Sequence, residues 1–423
     1  MPSIDLRKAA PAPIASHPDA TPSASAAGEL AGRKILIIVE NLPVPFDRRV
    51  WQEARALRDA GALVSIICPT GKGFEARYEL LEGVHVYRHP LPDEGDGPLG
   101  YLTEYSAALF WEFALACKVF RRHGFDVIHG CNPPDLIFLV ALPFRLLGRK
   151  FVFDHHDLNP ELFEAKFNKR GVFWRLLTFM EWLTFASADI SIATNESYRR
   201  IAVERGRMPP ADAFIVRSGP DLTRIKPVDE APKWRNGRRF MVGYVGVMGD
   251  QEGIDLLLEA AATLVKRGRQ DVQFCIVGGG PSFKRLTQQC SRMALDPYVT
   301  FTGRAPDQDL FEVLSTADVC VNPDRVNAMN DKSTMNKILE YMAMGKPIVQ
   351  FDVTEGRFSA GESSLYAKAN DAVDLADKIE VLLTSPEERA RMGEIGRRRV
   401  ETELSWAYQA PKLIEAYKHL FNG

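Results

Sequence analysis

The run Lys34-Ile35-Leu36-Ile37-Ile38-Val39-Glu40 is short and β-branched, the composition of a strand buried on both faces. After the Pro43-Val44-Pro45 turn, Val50, Trp51, Ala54 and Leu57 recur at helical spacing, and Ala60-Gly61 stops that helix before a second apolar run at 63–68. This is a βαβ unit. Further strand-like runs at 84–86, 127–128, 151–153, 190–193 and 214–216 alternate with helical patterns at 99–122, 134–147, 171–186 and 195–204. Alternation of this kind predicts an α/β domain with a doubly wound parallel sheet.

At 219–239 the chain turns polar and carries Pro220, Pro227 and Pro232, a linker composition. The alternation then resumes, with strands at 240–245, 273–277, 299–301, 317–321 and 347–351 and helices at 252–267, 282–295, 306–315 and 333–344. Helical patterns at 371–383, 386–399 and 404–421 complete the chain. The pattern predicts a disordered Ala/Pro/Ser-rich tail (1–32), a Rossmann-like domain (33–218), a linker (219–239), a second Rossmann-like domain (240–400) and a C-terminal helix (401–423) that packs back on the first domain. Two such halves predict a cleft between them.

Length supports this, since 423 residues exceed one domain of about 150. Charges nearly cancel, 53 basic against 55 acidic residues, so no global field favours nucleic acid, and none is expected as a partner. The six cysteines are scattered without a C-x-x-C pair, which argues against structural zinc or a secreted disulfide framework and for a cytoplasmic setting. The most apolar stretches are interrupted by Glu112 and Lys118 or by Pro143 and Arg145, too short to span a bilayer.

Chemistry concentrates in Asn330-Asp331-Lys332-Ser333-Thr334-Met335-Asn336-Lys337-Ile338-Leu339-Glu340-Tyr341-Met342-Ala343-Met344-Gly345-Lys346-Pro347. Ser333 and Thr334 are expected to start a helix whose free N–H groups favour a phosphate, with Lys332 and Lys337 adding charge and Glu340 accepting from ribose hydroxyls. In the first half, Asp154-His155-His156-Asp157 follows a strand, where open α/β sheets bind ligands. Adjacent histidines raise the question of metal, but successive side chains point apart and no third ligand is evident, so no metal is expected.

The 330–347 segment resembles the donor-site helix of the family 4 glycosyltransferases, retaining enzymes of the GT-B fold that use sugar nucleotides. The likeness extends to Val277-Gly278-Gly279-Gly280-Pro281, to Phe301-Thr302-Gly303-Arg304, to Gly246-Val247-Met248-Gly249, and to Arg217-Ser218-Gly219-Pro220-Asp221 at the family's interdomain turn. The resemblance implies Gly246, Gly279 and Arg304 beside the nucleotide, Glu340 on the ribose and His156 facing the donor sugar. Three departures stand out. Val247 and Glu252 occupy positions where the family carries Arg and Lys on the diphosphate, and Lys332 stands where its first Glu meets the sugar. Arg49, in a loop lacking the family's glycine pair, is expected with Lys332 and Lys337 to supply the missing positive charge.

The resemblance implies a metal-independent, hexosyltransferase-type enzyme moving a sugar with retention from a nucleotide-diphosphate sugar to a glycan or lipid-linked acceptor in cell-surface or exopolysaccharide biosynthesis. It needs no cofactor beyond the donor substrate. The leaving phosphate takes the acceptor proton in the expected same-face displacement, and His156 positions the sugar. The alternatives are a sugar-nucleotide epimerase of the same fold and a nucleotide- or partner-binding homologue without turnover. Between Lys166 and Phe185 basic and aromatic residues interleave, which reads either as a core stripe, the favoured reading, or as a peripheral contact with the inner face of the cell membrane.

Overall fold

The computed structural model describes residues 28–90, 98–167 and 169–422, the side chains of 98–105 excepted. The tail expected over 1–32 therefore lies mostly outside the described residues. Its last part is not tail-like, because Leu30 is buried and its N–H donates to the Ala60 carbonyl at 2.8 Å.

The described chain forms two compact units, one reaching Val216 and resuming at Ala410, the other Arg217–Gln409. In the first, the elements are β1 (Lys34–Ile38), α1 (Arg48–Asp59), β2 (Leu63–Pro69), β3 (Tyr78–Leu81), β4 (Val84–His89), α2 (Pro98–Arg122), β5 (Val127–Cys131), α3 (Phe138–Arg145) and β6 (Lys150–His155). They continue with α4 (Asn159–Phe167), α5 (Val172–Ser187), β7 (Ile190–Ala193), α6 (Glu196–Glu204) and β8 (Ala213–Ile215). The eight strands are ordered β3-β4-β2-β1-β5-β6-β7-β8, parallel except β3. Ile35 to Ile38 of β1 are at most 1% exposed, as a central strand covered by helices on both faces requires.

The second unit holds β9 (Phe240–Val245), α7 (Ile254–Lys266), β10 (Val272–Val277), α8 (Phe283–Arg292), β11 (Val299–Gly303), α9 (Asp307–Thr316), β12 (Val319–Asn322), α10 (Asn336–Ala343) and β13 (Ile348–Phe351). Then come α11 (Thr354–Ala360), β14 (Ser364–Ala367), α12 (Ala372–Thr384), α13 (Pro386–Arg399) and α14 (Trp406–Asn422), which runs on into the first unit. Its sheet is parallel throughout, ordered β11-β10-β9-β12-β13-β14.

Two edge strands escape the hydrophobic pattern. β3 has no buried residue and β14 buries only its ends, so neither shows an apolar run. The expected linker is also revised. Arg235 pairs with Asp318 at 2.5 Å, Trp234 donates to Glu312 at 3.1 Å, and the Val228 and Ala231 N–H groups donate to Ser315 and Thr316 hydroxyls, so 228–235 lies against α9 and is part of the second unit. Pro232, which made this stretch look like a spacer, opens a 3₁₀ turn over Pro232–Arg235.

In each sheet the strand order reverses at one point, between β1 and β5 and between β9 and β12. Loops leaving the carboxyl ends there diverge and leave room for a ligand.

Candidate active site

In the first unit the reversal point holds a buried charge cluster. Asp47 caps α1, its carboxylate accepting from Val50 N–H, and the first turn carries Arg49 with Glu53 one turn on. The Arg49 guanidinium lies 2.9 Å from Asp154 Oδ1 and 3.0 Å from Glu53 Oε1, and donates to the Val216 carbonyl at 2.9 Å. Asp154 Oδ2 stands 2.6 Å from His156 Nε2 and 3.1 Å from His129 Nε2. On the other side of the His129 ring, Nδ1 is 2.8 Å from the Tyr417 hydroxyl, contributed by α14.

This geometry assigns protons. Tyr417 donates to Nδ1 of His129, which leaves its Nε2–H for Asp154. His156 Nε2 lies between Asp154 Oδ2 at 2.6 Å and the Arg49 Nε–H, which donates toward it at 2.9 Å. Burial alone would raise the Asp154 carboxyl, but Arg49, His156 and His129 hold it well below its usual range. Burial and the Asp154 charge push Glu53 the other way, well above its usual value despite Arg49. One carboxylate is fixed as the anion and the other favours the acid.

Asn132 positions His156. Its side-chain oxygen accepts the His156 and Asp157 N–H groups at 2.6 and 3.1 Å, and its amide donates to Asp135 at 2.8 Å. His156 keeps 14% side-chain exposure. Its neighbour His155 is buried among Phe153, Phe185 and Tyr198, 3.4 Å from Glu181, a packing role. Glu53, Asp154 and His156, and separately His129, Cys131 and Asp154, offer ligand atoms within 4.8 Å of one another. A metal would compete there with the Arg49 charge, and burial keeps Cys131 a thiol, so the donor set suits hydrogen bonding better.

In the second unit, the loops after β9, β10 and β11 are stitched by backbone bonds from Gly246 N to Val277 O, Met248 N to Gly279 O and Gly278 N to Gly303 O, at 2.9–3.0 Å. Only glycine fits at 278, where φ is +135° and a Cβ would stand 1.9 Å from the Gly246 carbonyl. Arg304 is exposed on the loop beyond β11. At the reversal point Lys337 Nζ lies 2.7 Å from Asp324 and 5.1 Å from the Tyr244 ring centre, and a Cβ on Gly246 would touch its Cε at 3.3 Å. Asn322, with its amide nitrogen turned toward Asp324, adds a bond at 3.0 Å. Burial raises Asp324 against the pull of Lys337, and burial together with Asp324 raises Glu252.

The structure revises several site expectations. The helix starts at Asn336, not at Ser333 and Thr334: a 3₁₀ turn at Asn330–Lys332 comes first, and the Ser333 hydroxyl donates to Met329 O. No side chain caps α10, and Glu340 is half-buried in its second turn. Lys332 turns back to the Ala328 carbonyl at 2.8 Å. Arg49 is placed against carboxylates: its side chain is 10% exposed and lies 2.9 Å from Asp154 and 3.0 Å from Glu53. Sequence reading missed Glu53, His129, Asn132 and Asp324; only Glu53 left a signal, four residues after Arg49.

Comparison with known proteins adds the class. Among solved structures, sucrose-phosphate synthase from Thermosynechococcus elongatus superposes with a TM-score of 0.77 at 21% identity, covering 92% of this chain and 99% of that one. Anabaena HepE in complex with UDP-glucose gives 0.68 at 17%, covering 91% and 99%. These likenesses define the GT-B fold, two parallel-sheet α/β domains. Residues 47–219 match the glycosyl transferase 4-like domain and 239–385 match glycosyl transferases group 1. Alpha-D-kanosaminyltransferase of Streptomyces kanamyceticus is 33% identical over 326 residues, 72% of this chain and 80% of that protein. A D-inositol 3-phosphate glycosyltransferase of Corynebacterium urealyticum is 26% identical over 250 residues, 55% of this chain and 57% of its own. The chain belongs to the GT4-type glycosyltransferases.

Proposed function

We propose that this glycosyltransferase takes its sugar from a nucleotide-diphosphate donor and transfers it, with retention, to a glycan or lipid-linked acceptor in cell-surface or exopolysaccharide assembly, working at the cytoplasmic face of a membrane. The observation that carries the donor part is the Lys337–Asp324 pair at the reversal point of the second sheet, beside the Gly246 and Gly278-Gly279-Gly280 turns and the uncapped start of α10. Backbone N–H groups and one ammonium there suit a diphosphate, and the stabilisation of a leaving phosphate is the larger part of the chemistry required. Glu340 and Arg304 are assigned to the nucleoside. Lys332 assists through the charge of its loop.

In the first unit, His156 is held by Asn132 and Asp154 with an exposed edge, as a group that orients a sugar hydroxyl must be. The Asp154 contact at 2.6 Å and the Asn132 contact to its backbone fix the ring's orientation, which supports a positioning role. That HepE was solved with UDP-glucose supports UDP sugars as the first donors to try.

The test is a thermal-shift series with UDP, GDP, ADP and TDP and their sugar conjugates, followed by NMR of the product anomer. A ligand at about 100 times its Kd adds about 2.7 kcal/mol of stability, a clear shift. One base should stand out, and acceptor should be needed for turnover. An altered sugar released without acceptor identifies an epimerase; no shift with any nucleotide overturns the donor assignment.

A further inference from the structure

Exposed large apolar side chains are unevenly spread. Among the described residues, twelve of the twenty-one lie between Phe110 and Phe179, on the layer formed by α2, α3, α4 and α5 and the turn after α3. The layer is contiguous: the rings of Phe113 and Phe120 of α2 meet Phe144 of α3 at 6.0 and 5.5 Å in tilted contacts, α3 contacts α5, and Phe163 of α4 meets Phe173 of α5 at 5.0 Å. These helices already bury one face against the sheet, α3 through Phe138, Ala141 and Phe144. The opposite face is also apolar. Leu139 and Leu142 of α3 and Leu146 just past its end repeat at helical spacing, and Val172, Leu176 and Phe179 do so on α5, with Leu146 83% and Val172 84% exposed. A helix that is apolar on its solvent side has an unmet partner.

Charge selects the partner. From Ser106 onward, the carboxylates carried by α2, α3 and α5 are Glu112 and Glu181, and both are fully buried. Their exposed charges are Lys118, Arg121, Arg122 and Arg175, with Lys166 and Lys169 on the approach to α5, where Arg170 pairs with the part-exposed Glu164 of α4 at 2.8 Å. A second copy docked on this face through a two-fold axis would oppose like charges, and the part-exposed Glu164 of α4 is already engaged by Arg170. A bilayer containing anionic lipid supplies both an apolar interior and negative headgroups.

We propose that the outer face of α2, α3 and α5 is a docking surface for an anionic lipid membrane, with the leucines and phenylalanines entering the acyl boundary and the rim cations on the headgroups. This deepens the membrane-side placement in the proposed function and rests on that part of it, not on the donor assignment. The part expected as a core stripe divides accordingly: Phe185 is buried, whereas Phe173, Leu176 and Phe179 face outward.

Flotation of the full chain with phosphatidylcholine vesicles, with and without about a third phosphatidylglycerol, tests it. The wild type floats with the anionic vesicles at low salt, about tenfold less with neutral ones. Leu142→Ser/Leu146→Ser and Leu176→Ser/Phe179→Ser abolish flotation, and Arg121→Gln/Arg175→Gln weakens it about tenfold, while melting temperature and nucleotide thermal shift are unchanged because these side chains are exposed. Failure to float with anionic vesicles overturns the proposal. So does equal flotation with neutral vesicles, or a lipid-free dimer in ultracentrifugation that the leucine variants dissociate. A wild type that fails to float but responds to one nucleotide would leave the donor assignment standing.

Discussion

Both units place a cation against buried carboxylates where their sheet reverses, yet the two clusters treat charge differently. Around Arg49, Asp154 receives Arg49 and two histidines and is held well below its usual pKa, while Glu53 is pushed well above. Around Lys337, burial raises both Asp324 and Glu252, and the lysine is the cation that opposes the rise. The first cluster is a structural assembly that aims His156; in the second, one lysine stands against two carboxylates whose pKa values burial raises. A cation's position in the sequence does not tell these apart, but its count of internal acceptors does.

The largest effect that would break this contrast is on stability. Removing one member of a buried, hydrogen-bonded ion pair costs about 3–5 kcal/mol, because the remaining charge is left uncompensated. Arg49→Met should show a loss of that size in urea unfolding, with the nucleotide-induced thermal shift retained. A stable Arg49→Met protein that no longer responds to nucleotide would return Arg49 to the phosphate role first expected of it.

Next in size is Lys337→Met. If the ammonium meets the diphosphate, losing one charge-assisted bond of about 1.5–3 kcal/mol weakens donor affinity between about tenfold and a hundredfold. Titration calorimetry with the nucleotide selected by thermal shift would measure it. The comparison fails if affinity is unchanged while stability falls as far as in Arg49→Met.

Much of the architecture was legible because parallel strands buried on both faces announce themselves. β7 and β9 fall on the boundaries their apolar runs predict, whereas the edge strands β3 and β14, with a wet face, do not. The glycine turns and Lys337 were legible from local composition. His129, Asn132 and Asp324 were not, because each acts through partners 13 to 288 residues away that only the folded sheets bring together. The Arg49 pairing was hidden for the same reason: its acceptor Asp154 is 105 residues distant.

The smallest predicted effect is the sharpest test of the second cluster. Glu252 has one buried carboxylate oxygen with no hydrogen-bond partner among the described residues, and its pKa is raised by burial and by Asp324, and lowered by Lys337. A phosphate bound beside Lys337 would raise it further, so binding takes up protons, and donor affinity should fall as pH rises through the elevated Glu252 titration. Glu252→Gln removes that carboxylate; affinity at neutral pH should rise about fivefold, roughly 1 kcal/mol, and its pH dependence should flatten. Asp250 on the same loop is the control, because it is 80% exposed and paired with Arg285 at 2.6 Å. Asp250→Asn should leave both affinity and slope where they were. If it moves them as far as Glu252→Gln does, then the site senses the general field of the loop, and the buried Glu252 carboxylate has no special part in donor binding.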